Sequence, residues 1–254
     1  IGVDFTAPRL YWNCDGGKKQ TAYQIVAADD GDSILWDSGR VESAAMCVKW
    51  GGAPVPPKTK VFWQVRLWDE ENAAGDWSKA SFETGIGAWS AKWVTGDYKV
   101  NKKERYPVDC FRKAFHAADV KKARLYIAAC GLYEAELNGQ RVGDFVRAPG
   151  ITDYRKRLQY QTYDVTPLLQ EGENTLTVQL ADGWYRGSCG AWGLKNQYGT
   201  ETKLLAQLEL THADGSVQTI VTDESWDWSN DGPIRFADNR SEERRVGKEC
   251  RSRW

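Results

Sequence analysis

Three loops carry the residue types that could meet a ligand. Asp182-Gly183-Trp184-Tyr185-Arg186-Gly187 crowds two aromatics and a guanidinium between glycines, which shapes a loop. There an aromatic ring can stack on the apolar face of a sugar while Arg186 bonds its hydroxyls. The glycine-rich stretch from Cys189 to Gly199 (CGAWGLKNQYG) offers Trp192, Asn196 and Tyr198 to the same rim. Thr152-Asp153-Tyr154-Arg155-Lys156-Arg157 adds Asp153, Tyr154 and Arg157 as further candidates for carbohydrate contact. Its single carboxylate and three cations suit calcium poorly, because that ion takes several carboxylate and carbonyl oxygens. Asp144, Asp182 and Asn196 would help to hold calcium only where their loops converge. Each loop also has a purely structural reading, as a strand end or a folded turn packing on its neighbours, and the residues alone leave both open.

Other chemistries find less support. Six cysteines (Cys14, Cys47, Cys110, Cys130, Cys189 and Cys250) lie far apart without a CxxC pair, and His116 and His212 are the two histidines. A zinc site or a cysteine–histidine nucleophile pair is therefore poorly supported. The wide spacing matches no small disulfide framework and points to free, mostly buried thiols. Paired acids such as Asp29-Asp30 and Glu70-Glu71 stand where turns are expected. With 34 basic and 35 acidic residues, no broad positive face is left to track a phosphate backbone, so nucleic acid is not an expected partner. No run of 18 apolar residues exists, so no membrane span is expected, and the first residues (IGVDFTAPRL) lack a signal-peptide pattern. The chain begins without Met, as a processed protein or a fragment would, so export is left open and no compartment follows. The 13 Trp and 11 Tyr either cover sugar faces or fill sandwich cores.

The elements that must position these loops read as strands. Tyr133, Ala135 and Leu137 alternate with Glu134 and Glu136 before Asn138-Gly139, the strongest two-residue hairpin signal. Leu158 to Val165 is strand-like, Thr166-Pro167 reads as a helix cap followed by proline at the first helical position, and Leu176, Val178 and Leu180 alternate again. Leu204 to Leu210 and Val217 to Val221 follow the same period. Upstream, Tyr23, Ile25 and Ala27 alternate before Asp29-Asp30-Gly31-Asp32, and Val61, Trp63, Val65 and Leu67 form another strand, an immunoglobulin-like spacing. The expected fold is all-β. Residues 1–86 form an immunoglobulin/fibronectin-III-like sandwich, and 87–108 a connection in which Trp89 and Trp93 wedge between domains. Residues 109–240 form a second sandwich, a galactose-binding-like jelly roll. Residues 241–254, rich in arginine and ending SEERRVGKECRSRW, read as an atypical, non-native tail.

ELNGQRVGD, PGITDYRKRLQYQTYDVT and DGWYRG resemble the N-terminal β-sandwich domain of large bacterial α-L-rhamnosidases. The likeness continues through YGTETKLLAQL and TDESWDW to GPIRFADNR, roughly Phe111 to Arg240. PRLYW, QTAYQI, LWDSGRVES, FWQVRLWDE and FETG are similar to the fibronectin-type-III-like domain that precedes it. The resemblance implies an inverting glycoside hydrolase whose acid and base lie in a downstream helical barrel, so no catalytic residue is expected within these residues. Two roles are compatible with it. One is a non-catalytic N-terminal brace for that barrel. The other is a carbohydrate-binding module for rhamnose or a rhamnose-containing carbohydrate, with calcium as an optional aid and no other cofactor expected.

Overall fold

The computed structural model describes residues 2–5, 7–15, 18–101, 104–189, 194–238 and the backbone of 242–244. Two compact units divide the chain, Ile1–Ala88 and Trp89–Trp254. Both are built from antiparallel strands, so the all-β expectation holds.

In the first unit the strands are β1 (Arg9–Tyr11), β2 (Ala22–Asp29), β3 (Ile34–Asp37), β4 (Val41–Glu42), β5 (Cys47–Lys49), β6 (Lys60–Trp68) and β7 (Ser78–Glu83). One sheet has the order β3-β2-β6-β7 with β4 beside β2, and β1 pairs with β5 in a second ladder. Alternation drives inward residues of both ladders into one core: Leu10 from β1, Ile25 and Ala27 from β2, and Val61 and Val65 from β6, closed by Trp12 and Trp50. The acidic pairs serve turns and backbone, as expected. Asp29 accepts the N–H groups of Gly31 and Ser33, Asp69 accepts those of Glu71 and Ala73, and Glu70 accepts those of Lys18 and Lys19.

The second unit holds β8 (Asp109–Ala117), β9 (Val120–Cys130), β10 (Leu132–Leu137), β11 (Gln140–Arg141), β12 (Tyr160–Asp164), β13 (Gly172–Ala181), β14 (Lys203–His212), β15 (Val217–Val221), β16 (Asp227–Ser229), β17 (Ile234–Ala237) and β18 (Glu242–Arg244). Sheets β11-β10-β13-β8-β16 and β12-β9-β14-β15 contribute to a single core. Phe111, Ala135, Leu137, Leu176, Val178 and Leu180 come from the first sheet, and Leu125, Ile127, Leu204, Leu208 and Leu210 from the second. This is a two-sheet sandwich. Asn138 (φ 55°) and Gly139 (φ 75°) both take left-handed backbone, which is what a two-residue turn of the I′ type demands.

Several details differ from the sequence reading. The segment after residue 88 is held along the second unit: Lys92 N–H donates to Thr222 O, Val94 pairs with Leu204, Thr95 Oγ1 donates to Thr202 O, and Trp89 packs edge-on against Tyr160. At Pro167 the turn is a 3₁₀ turn, Thr166–Leu168, capped by Val165. Thr166 is not its cap, because its hydroxyl accepts Ala123 N–H from β9. Cys14 and Cys47 are exposed, since the first lies outside the strands and the second on the short β5, and Cys110 is buried. With Cys130 and Cys189 half-buried, the described cysteines are not mostly buried; Cys250 lies outside the described residues. Backbone pairing also runs past residue 240, where β18 pairs with β17.

Candidate functional site

Strand β13 delivers the chain to Asp182, and a tight turn follows in which Arg186 N–H donates to Asp182 O. The glycine-rich loop then folds back on that turn. Asn196 N–H donates to Arg186 O at 3.0 Å, with Asn196 at φ 57°, and Tyr198 N–H reaches Tyr185 O at 3.4 Å. From the other side Tyr154 enters, its hydroxyl donating to Gly150 O at 3.0 Å. Three sequence candidates are thereby brought together. The Tyr154 ring lies 5.3 Å from that of Tyr185, edge-on, and 5.0 Å from that of Tyr198, tilted. Arg155 stands over Tyr198 at 5.4 Å and also binds the Asp153 carboxylate at 3.1 Å. Burial, followed by nearby Cys130, pushes the Tyr154 hydroxyl up to about 12, so it stays protonated and able to donate.

The other candidates are placed differently. Arg157 is exposed, with its carbonyl held by Thr152 Oγ1. Trp184 is half-buried. Trp192 lies outside the described residues. Arg186 is 5% exposed, and its donors are already engaged. Its Nε and Nη2 converge on Asp182 Oδ1 at 2.7 and 2.6 Å, and its Nη1 donates to the Tyr98 hydroxyl at 2.7 Å. The guanidinium also stands over the Tyr106 ring at 5.0 Å. Arg186 therefore holds the loop's base together and does not face solvent with a free fork.

Behind it lies a polar network that sequence reasoning missed. The Tyr98 hydroxyl donates to Asp109 Oδ2 at 3.2 Å, Thr202 Oγ1 donates to the same oxygen at 2.8 Å, and Trp228 Nε1 reaches Oδ1 at 3.1 Å. Asp109 is fully buried, and burial raises its carboxyl above the ordinary aspartate value despite those donors. The same cause raises Asp182, against the pull of Arg186. Tyr98 is pushed up to about 12 by burial and by Asp109. Burial works against the charge on Arg186, yet Asp182 and Tyr98 carry its value upward. The available signal was an aspartate immediately before the apolar Cys110-Phe111 run, where a strand buries it.

Beside Arg186 a cleft lined by Asn101, Glu104, Tyr106, Lys195, Asn196 and Phe236 encloses about 10 Å³ of free space. That is room for about one water, not a sugar ring. Asp182 and Asn196 flank this region, whereas Asp144 influences Tyr163. Among the described residues no three His, Cys, Asp or Glu side chains gather as a metal site would require. Also among the described residues, no helix is long and apolar enough to cross a membrane.

Fold and site define a tandem β-sandwich chain whose aromatic loops gather around Tyr154. Residues 118–251 match the alpha-L-rhamnosidase N-terminal domain, and residues 1–88 match the Rha78A-like N-terminal immunoglobulin domain. The chain belongs to the α-L-rhamnosidase family, whose non-catalytic N-terminal region it corresponds to. It is 38% identical to an alpha-L-rhamnosidase of Formosa agariphila over 94% of this chain and 28% of that protein. The structure of native α-L-rhamnosidase from Aspergillus terreus superposes with a TM-score of 0.86 at 36% identity, covering 94% of this chain and 29% of that one. The Streptomyces avermitilis α-L-rhamnosidase complexed with L-rhamnose gives 0.83 at 26% identity, over 93% and 40%. The chain thus spans between about a quarter and two fifths of the length of these relatives.

Proposed function

We propose that this chain serves an α-L-rhamnosidase that releases terminal α-L-rhamnosyl residues from glycosides or polysaccharides with inversion, and that it contributes the sandwiches that brace the catalytic region. The observation that carries this reading is the match of both units, in order, to the N-terminal domains of that family. Its chemistry agrees. Inversion needs an acid and a base with carboxyls roughly 6.5–9.5 Å apart across an open site. Two buried acids of the second unit are committed elsewhere, Asp182 to Arg186 and Asp109 to three donors. The purified chain is expected to leave aryl α-L-rhamnosides at the buffer rate of hydrolysis. Turnover that survives purification to homogeneity would place the acid and base within these residues and overturn the assignment.

A second reading rests on the convergence of Tyr154, Tyr185 and Tyr198, which could offer ring edges and faces to a rhamnose-containing carbohydrate. A sugar held on such an open surface by stacking and a few hydroxyl bonds gains only a few kcal/mol, for a Kd on the order of 0.1–1 mM. Titration with L-rhamnose, with and without calcium, followed by amide shifts, tests it. Saturable binding removed by Tyr198→Ala in a folded chain supports the module. No binding up to tens of millimolar sugar, well above that range, leaves the brace alone.

A further inference from the structure

Six large apolar side chains stand exposed among the described residues of the second unit, and three of them, Phe145, Val146 and Ile151, occupy one seven-residue stretch. Their exposures are 48, 68 and 52%. The backbone beneath them is pinned: Tyr133 N–H donates to Ala148 O, Gly150 N–H to Arg147 O, and Gln161 Nε2 to Pro149 O. Ala148 itself is buried in the core. The loop therefore displays apolar groups on a fixed frame, and fixing them against a partner costs little further conformational freedom. Cations share the segment. Arg147, Arg155, Lys156 and Arg157 are all exposed, while the carboxylates between residues 144 and 157 are Asp144 and Asp153, the second bound to Arg155. Exposed apolar groups interspersed with arginine are the composition of a docking surface.

The occupant follows from size and charge. Free partners bury about 1,200–2,000 Å² in a stable interface, far more than three side chains and a few cations offer. A tethered partner needs less, because its effective concentration reaches the millimolar range. We infer that the 145–157 face docks onto an apolar surface rimmed by carboxylates in the downstream region of the same polypeptide. This rests on the proposed function, in which the chain is joined to a catalytic region; more than two thirds of the Formosa relative lies outside the stretch that this chain matches.

The test replaces the matched N-terminal region of that relative with this chain and places p-benzoyl-L-phenylalanine at position 145, with Val217, 56% exposed against 48%, as the control position. Irradiation is expected to give an adduct from position 145 to a downstream peptide and none from 217. No adduct from 145, or equal adducts from both, overturns the inference. Turnover of an aryl α-L-rhamnoside by the same chimera reads the proposed function separately, so either can fail without the other. If the chimera does not fold, p-benzoyl-L-phenylalanine placed in the intact Formosa relative at the positions that align with 145 and 217 gives the same readout with the two regions still tethered. Saturable binding of L-rhamnose or of an oligogalacturonate to this chain, removed by Arg157→Glu with the fold intact, would assign the face to a saccharide and overturn the docking.

Discussion

Arg186 and Asp109 show how a residue that looks ready for a ligand can be spent on the fold. Arg186 is the cation among Asp182, Asp109 and Tyr98, so Arg186→Ala strands buried carboxylates without their counter-charge. Removing one partner of a buried pair costs about 3–5 kcal/mol, and the variant's second unit is expected to unfold at clearly lower urea. An unchanged midpoint would mean the network is solvated. Asp109 makes a pH-dependent prediction. Its folded value lies above the ordinary 3.8, chiefly through burial, so its contribution is fully present below 3.8 and is lost as pH rises through the raised folded value. The stability difference between the parent and Asp109→Asn should therefore shrink, or change sign, as pH rises from 3.8 toward neutral. Urea titrations of both proteins at a series of pH values check this, and a difference that grows with pH would contradict it. Little of this was legible beforehand: Asp182 and Arg186 stand four residues apart, but Tyr98, Asp109, Thr202 and Trp228 join one another and that pair only through long-range contacts.

At the level of the element, local chemistry was readable where it decides the structure. Asn138-Gly139 announced its hairpin because only residues tolerant of positive φ satisfy that turn, and Asn138 further ties it down by donating to Leu168 O and accepting Thr175 N–H. Two glycines separate conformational from steric cost. At Gly139 an added Cβ would meet nothing within 4 Å, so Gly139→Ala should cost about 1 kcal/mol from left-handed backbone alone. At Gly143 (φ 69°) the Cβ would stand 2.3 Å from Tyr163 Cε1, whose ring is fixed through the Tyr133 hydroxyl. Gly143→Ala should therefore add the roughly 1–3 kcal/mol of overpacking, and comparing the two unfolding midpoints tests the ranking. The tyrosine cluster was visible only as separate loops: composition marked each of them, but the hydrogen bonds from Asn196 and Tyr198 back to Arg186 and Tyr185 are what join them. Thr166 was misread for a related reason, since a cap signal cannot reveal that β9 will claim the hydroxyl.

Across the whole molecule, the strand periods announced two sandwiches, and each unit indeed closes a core from its own residues. Leu10, Trp12, Ile25, Trp50 and Val61 fill the first, while Leu125, Ile127, Leu176, Leu204 and Leu208 fill the second. The segment just after residue 88 was harder to read. It lacks alternation, yet Val94 joins β14 by a bridge and Tyr98 stacks on Trp228, so its apolar residues belong to the second core's margin. A cut between Ala88 and Trp89 should consequently leave both pieces with intact cores, whereas a cut before Asp109 would strip Tyr98 from the buried carboxylate it serves. Separately produced fragments 1–88 and 89–254 are each expected to melt cooperatively, and a fragment 109–254 to melt lower than 89–254. The comparison is sharp because both versions of the second sandwich keep every strand from β8 onward. Equal melting of the two would show that Val94, Thr95 and Tyr98 add nothing to the sandwich they lie against.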